Sequence, residues 1–132
     1  MNRLKEIEKE IRSKEYIDGQ VGFYFCCDLV EMTHDNTEPL KEILIKNKTI
    51  GRDNEIELVR TDDWKEDINA IADEWHFDEG IRTQLMAVIE DSEVYYTVKF
   101  LGPDAENLSN WCSARVIQKG DRFAEMEFYI CE

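Results

Sequence analysis

The sequence predicts an α+β fold: one antiparallel sheet that ends in a three-strand meander, with helices packed on one face. Three observations carry this. The chain has 132 residues with 42% apolar side chains, enough for one core and too few residues for two ordinary domains. Only six Gly and two Pro occur, so no linker or low-complexity tract divides it, and residues 1–132 read as a single domain. The apolar period switches from helical over most of the chain to strict alternation in its last forty residues.

The elements follow in order. Leu4, Ile7 and Ile11 form a narrow apolar stripe, which predicts a helix over 2–15. Asp18-Gly19 signals a turn. From Val21 to Val30 a strand is expected, with Val21, Phe23, Phe25, Cys27 and Leu29 on one face and Tyr24, Cys26 and Val30 on the other. Two apolar faces suggest a central strand. Thr37 is placed to cap a helix running to Asn47, and Pro39 suits its first turn. Residues 55–60 read as a short strand with Ile56 and Leu58 inward.

Trp64, Ile68, Ile71, Ala72 and Trp75 recur at helical spacing and predict a helix over 62–75, with Asp63 and Glu66 as a capping box. A second helix is expected over 78–91, capped by Asp78, with Ile81, Leu85, Val88 and Ile89 buried. Alternation predicts a strand at 93–101, and Gly102-Pro103-Asp104 turns the chain. Residues 111–118 and 123–130 are expected to pair as a hairpin around Lys119-Gly120-Asp121-Arg122. Cys112, Ala114 and Val116 are placed inward, opposite Ala124, Met126, Phe128 and Ile130.

Charge is the outlying property. Thirty acidic and sixteen basic side chains give −14. Nucleic acid and anionic membranes are disfavoured as partners, because both need a basic footprint. A basic protein is favoured. The charge is concentrated: residues 52–93 hold fourteen carboxylates and four basic side chains, a net of −10, while the segments on either side contribute −2 each. The expected partner-facing set is Asp62, Asp63, Glu66, Asp67, Asp73, Glu74, Asp78 and Glu79. Carboxylates one turn apart sit about 6 Å apart along a helix axis, close enough to imitate a row of phosphates. The competing explanation is a solvated helix face whose first acids complement the helix dipole. Replacing Asp63, Asp67 and Glu74 with lysine is expected to leave the melting midpoint equal or higher, because self-repulsion falls.

No motif specifies a reaction. His34, His76 and four cysteines supply metal-type ligands, but none stands at C-x-x-C or H-x-x-x-H spacing. Asp53, Glu55 and Glu57 lack the glycine and spacing of a calcium loop. Neither a metal nor a cofactor is expected. A nuclease strand motif fails because Thr97 stands where the acid before Lys99 belongs, and no phosphate loop is present. Cys112 or His76 could serve nucleophilic chemistry only if the fold brought partners to them. Cys26 and Cys27 are adjacent, with Cα atoms about 3.8 Å apart, too close for an unstrained bridge. All four cysteines, with Cys112 and Cys131, are read as free thiols. Their state, and the absence of an apolar leader or membrane span, imply a reducing cytoplasm.

In size, acidity and lack of catalytic signatures the chain resembles two broad classes. One is the small phage-encoded inhibitors of host defence, including anti-CRISPR proteins and DNA mimics. The other is the immunity proteins that neutralise bacterial toxins. The likeness is one of composition and assigns no residue a role. The expected function is therefore a non-catalytic inhibitor that occludes the basic surface of a nucleic-acid-handling enzyme. The alternatives are an immunity protein and a small enzyme with a cleft that no motif reveals.

Overall fold

The computed structural model describes residues 2–13, 16–17, 20–21, 23–33 and 35–130. The Asp18-Gly19 turn, Glu15, His34 and Cys131 lie outside the described residues, as do the side chains of Val21, Phe23, Tyr24 and Ile130. The order is α1 (Asn2–Arg12), β1 (Tyr16–Ile17), β2 (Gln20–Val21), β3 (Phe23–Val30), α2 (Glu38–Lys46), β4 (Glu55–Arg60), α3 (Trp64–Glu74), α4 (Glu79–Glu90), β5 (Val94–Leu101), α5 (Ala105–Trp111), β6 (Cys112–Lys119) and β7 (Arg122–Ile130). β1 and β2 form a small antiparallel pair, and the remaining strands make one antiparallel sheet in the order β3-β7-β6-β5-β4. The expected α+β class and antiparallel sheet hold. β5, β6 and β7 lie side by side in chain order, as a meander requires, but α5 is interposed between β5 and β6.

Helices cover both faces of the sheet rather than one. Alternate residues of the same strands fall into two separate cores. Phe25, Cys27, Tyr95, Ile117, Ala124, Met126 and Phe128 pack with the apolar stripes of α1, α3 and α4. Val30, Tyr96, Val98, Phe100, Ala114, Val116 and Phe123 pack with Leu40 and Leu44 of α2 and with Leu108 of α5. This corrects the inward set of the final hairpin. Ala114 pairs with Glu127 and Val116 with Glu125, so Cys112, Ala114 and Val116 are buried on the face opposite Ala124, Met126 and Phe128. It also corrects the position of β3, which is an edge strand. Its two apolar faces reflect two covered faces, not a central place.

Local chemistry explains most element ends. Asp78 caps α4 by accepting from the Ile81 amide at 2.8 Å. Asp63 and Thr37 make no such side-chain bond. At α2 the Asn36 carboxamide oxygen takes the Glu38 amide instead, at 3.3 Å. α3 stops with His76 in the left-handed region at φ 58° and Phe77 N–H returning to Ala72 O at 2.9 Å, a Schellman close. The β6–β7 loop is the two residues Gly120 and Asp121, with Gly120 at φ 60°, as a glycine-first hairpin needs. α5 was not expected, and Trp111 ends that helix rather than opening a strand.

Candidate functional site

The expected acidic surface is built on the outer side of α3 and the start of α4. Ile68, Ile71 and Ala72 bury the inner side of α3. That orientation leaves Asp62, Asp63, Glu66, Asp73, Glu74 and Glu79 exposed. Cations answer only part of this charge. Arg82 meets Asp73 at 2.9 Å and Glu79 at 3.9 Å, and Arg60 lies 3.7 Å from Asp62. Lys65 stands over the Trp64 ring, 5.5 Å from its centroid.

Two members of the expected set do other work. Asp78 is half-buried and is the α4 cap. Asp67 turns towards the sheet. Its Oδ2 accepts from Arg115 Nε at 2.7 Å and from the Tyr95 hydroxyl at 2.5 Å, and its Oδ1 accepts from Arg115 Nη2 at 3.1 Å. Burial pushes the Asp67 carboxyl up, but the hydrogen bond and charge of Arg115, helped by the Tyr95 hydroxyl, outweigh it and hold the group below the usual carboxylate range. Arg115 spends Nη1 on Ser113 Oγ and Ala114 O, at 3.1 and 2.9 Å. The signal that could have placed Asp67 was Arg115 itself, a lone cation within an apolar strand that needs a carboxylate when buried.

A second polar cluster lies under α2, where no charge was expected. Glu125 and Glu127 alternate with the buried Ala124, Met126 and Phe128, and on a one-face sheet they would meet water. Here both are fully buried. Glu127 is well supplied: Asn47 Nδ2 donates to it at 2.7 Å, the Thr49 hydroxyl donates to it, and the Cys112 thiol lies 3.7 Å away. Neither oxygen of Glu125 meets a protein donor. Burial, then the charge and carboxyl contact of Glu127, push Glu125 well above the carboxylate range. Burial without a protein donor therefore favours the neutral form of Glu125.

Cys26 and Cys112 border the same cluster, whereas Cys27 faces the other core. Cys26, Cys27 and Cys112 are buried and free. Burial raises the pKa of each, and neighbouring carboxylates add to the effect. This suppresses the thiolate that nucleophilic or metal chemistry would need. Among the described residues no three metal-type ligands converge. His76 is exposed between buried Trp75 and Phe77. A hollow of about 580 Å³ lies at the end of β3 beside the β6–β7 turn. It is lined by Leu29, Val30, Met32 and Phe123, with Glu31 and Arg122 at its polar side, and does not include the carboxyl pair.

The β4 end of the sheet is held by a residue that was not singled out. Asn54 is buried, donates to Leu101 O at 3.0 Å and Pro103 O at 2.8 Å, and accepts from Gly51 N–H at 2.9 Å. Gly102, at φ 96°, lets the chain pass Asp53 O, where a Cβ would sit 3.1 Å away. Among the described residues no helix is long and apolar enough to cross a membrane. Comparison with protein-family models, with curated proteins and with solved structures finds no match to this chain.

Proposed function

We propose that the chain is a non-catalytic acidic protein that binds another protein and covers the basic, nucleic-acid-binding surface of an enzyme. The observation that carries this is the outward set of Asp62, Asp63, Glu66, Asp73, Glu74 and Glu79, all exposed along α3, the two residues before it and the start of α4. From Asp63 to Glu74 the helix rises about 16 Å. That is about the axial length of five phosphates on one DNA strand. The core does not use this side of the helix, and mixing in lysines would relieve its repulsion. Two further features support binding over catalysis. The most perturbed carboxyl, Glu125, is sealed from water and shares no wall with the large hollow. The buried thiols are held in their neutral form.

The test is retention and release. Immobilised protein should retain a basic protein from a nuclease-treated extract, and duplex DNA or rising salt should release it. Replacing Asp62, Asp63, Glu66 and Glu74 with lysine should abolish retention. The same change at the exposed Glu31, Asp35, Glu38 and Glu106 should leave most of it. Retention that survives the first set and fails with the second would reduce the acidic helix to a solvated face.

A further inference from the structure

The two edges of the sheet are treated differently. At β3 two backbone carbonyls, those of Phe25 and Cys27, are taken. Arg12 Nε donates to Phe25 O at 3.2 Å, and Lys5 Nζ donates to Cys27 O. These cationic side chains of α1 deny that edge to another strand.

At β4 the edge is open. Thr61 N–H bonds Tyr95 O at 2.9 Å, which makes Thr61 and Tyr95 a ladder-bonded pair. By antiparallel alternation Glu55, Glu57 and Val59 also point their backbone groups at β5, and Ile56, Leu58 and Arg60 point theirs away. Among the described residues no hydrogen bond reaches those outward groups. The side chains beside the open edge are mixed in kind. Glu55 and Glu57 are exposed, although Lys41 already meets Glu55 at 2.9 Å, and Val59 and Leu101 are large apolar residues left 40% and 37% exposed. Ile56 and Leu58 are partly buried on the other face. Asp53, Asp62 and Asp63 flank the strand.

We infer that β4 receives an extended basic segment of the partner as a sixth strand of the sheet. Backbone hydrogen bonds to Ile56, Leu58 and Arg60 would hold it, and alternating Lys or Arg would meet Glu55 and Glu57. Apolar residues between them would cover Ile56 and Leu58 on the opposite face. The same carboxylates disfavour a second copy, since two chains of −14 repel one another. The inference rests on the proposed basic partner and names how part of it binds.

The probe is a fluorescent peptide of about eight residues alternating lysine and valine, compared with the same peptide methylated on its valine nitrogens, the ones an antiparallel sixth strand would point at Ile56, Leu58 and Arg60. Both carry the same charge, but only the first can donate those hydrogen bonds to β4. By anisotropy at about 0.15 M salt the unmethylated peptide should bind about tenfold tighter or more, as expected for a few net hydrogen bonds. Amide exchange at Ile56, Leu58 and Arg60 should slow on binding, while that at Phe25 and Cys27 should not. Arg60→Pro should weaken binding although it removes a cation, because an outward N–H on an edge strand can be lost without breaking the ladder. Equal binding of the two peptides would overturn the inference and leave the acidic surface standing. So would a dimer, seen by sedimentation, that Arg60→Pro dissolves, since a second copy would then own the edge. Slowed exchange at β4 that persists after lysine replaces Asp62, Asp63, Glu66 and Glu74 would keep the inference and count against the acidic helix as the partner surface.

Discussion

Asp67 separates a structural carboxylate from a partner-facing one, and the pair it makes sets the size of the effect. The Arg115 and Asp67 side chains are 12% and 22% exposed, so water screens them only in part. Three hydrogen bonds end on the carboxylate, two of them from one guanidinium in fork geometry. Removing one partner of such a pair strands the other charge, which costs about 3–5 kcal/mol when burial is complete. The residual exposure places Asp67→Ala near the lower end, at about 3 kcal/mol. For a chain of this length that lowers the melting midpoint by about 10 °C. Urea denaturation followed by tryptophan fluorescence measures it directly. Arg115→Met should cost a similar amount, and the double variant far less than the sum, because an apolar pair leaves no stranded charge. The contribution of Asp67 is acid-labile. Its folded pKa is depressed, so the stability is present above the unfolded value of about 3.9 and is lost as pH falls through the lower folded value. A loss below about 1 kcal/mol for Asp67→Ala, the size of an exposed ion pair, would refute this account and return Asp67 to the outward set. The expectation that lysine at position 67 is harmless is replaced by one of marked destabilisation.

Three other perturbations follow from the site. Glu125 carries a raised folded pKa, so folding costs it nothing below the unfolded value of about 4.3 and up to about 1.4 kcal/mol more per pH unit above it, until the folded value is reached. Glu125→Gln should remove that slope, so its stability relative to the natural chain should grow from pH 5 to pH 8 in parallel urea titrations; a constant difference would mean that burial does not raise the Glu125 carboxyl. Cys26, Cys27 and Cys112 should react slowly with iodoacetamide at pH 8 in the folded protein and fully in urea without reductant, as read by mass spectrometry; rapid native labelling would contradict their burial. His76→Gly should stabilise by up to about 1 kcal/mol in thermal melts, because glycine adopts φ 58° without the Cβ penalty; a loss would mean that the imidazole holds the α3–α4 junction.

Much of the element order was legible because it is local. β4 falls at residues 55–60 as read, and α3, α4, β5 and the final hairpin lie within two residues of their expected limits. Helical and strand periods, Asp78 as a cap and Gly120-Asp121 as a hairpin loop depend on neighbours a few residues away. α5 escaped because Gly102-Pro103-Asp104 ends β5 so plainly that seven helical residues after it lack a period of their own.

The acidity of residues 52–93 and the outward row of α3 were also legible, since the apolar stripe of Trp64, Ile68 and Ile71 defines what faces away from it. What sequence alone could not decide was which strand is an edge, which faces are covered and where two polar groups meet. Asp67 and Arg115 are 48 residues apart, and Asn47 and Glu127 are 80 apart. A period of two says that Glu125 and Glu127 share a face, but not that α2 lies over it. The physical reason is that a backbone period is set within one or two turns of chain, whereas burial is set by whatever element, however distant in sequence, folds against the face. The tertiary structure alone buried two surface-patterned glutamates and left β4 with an open edge.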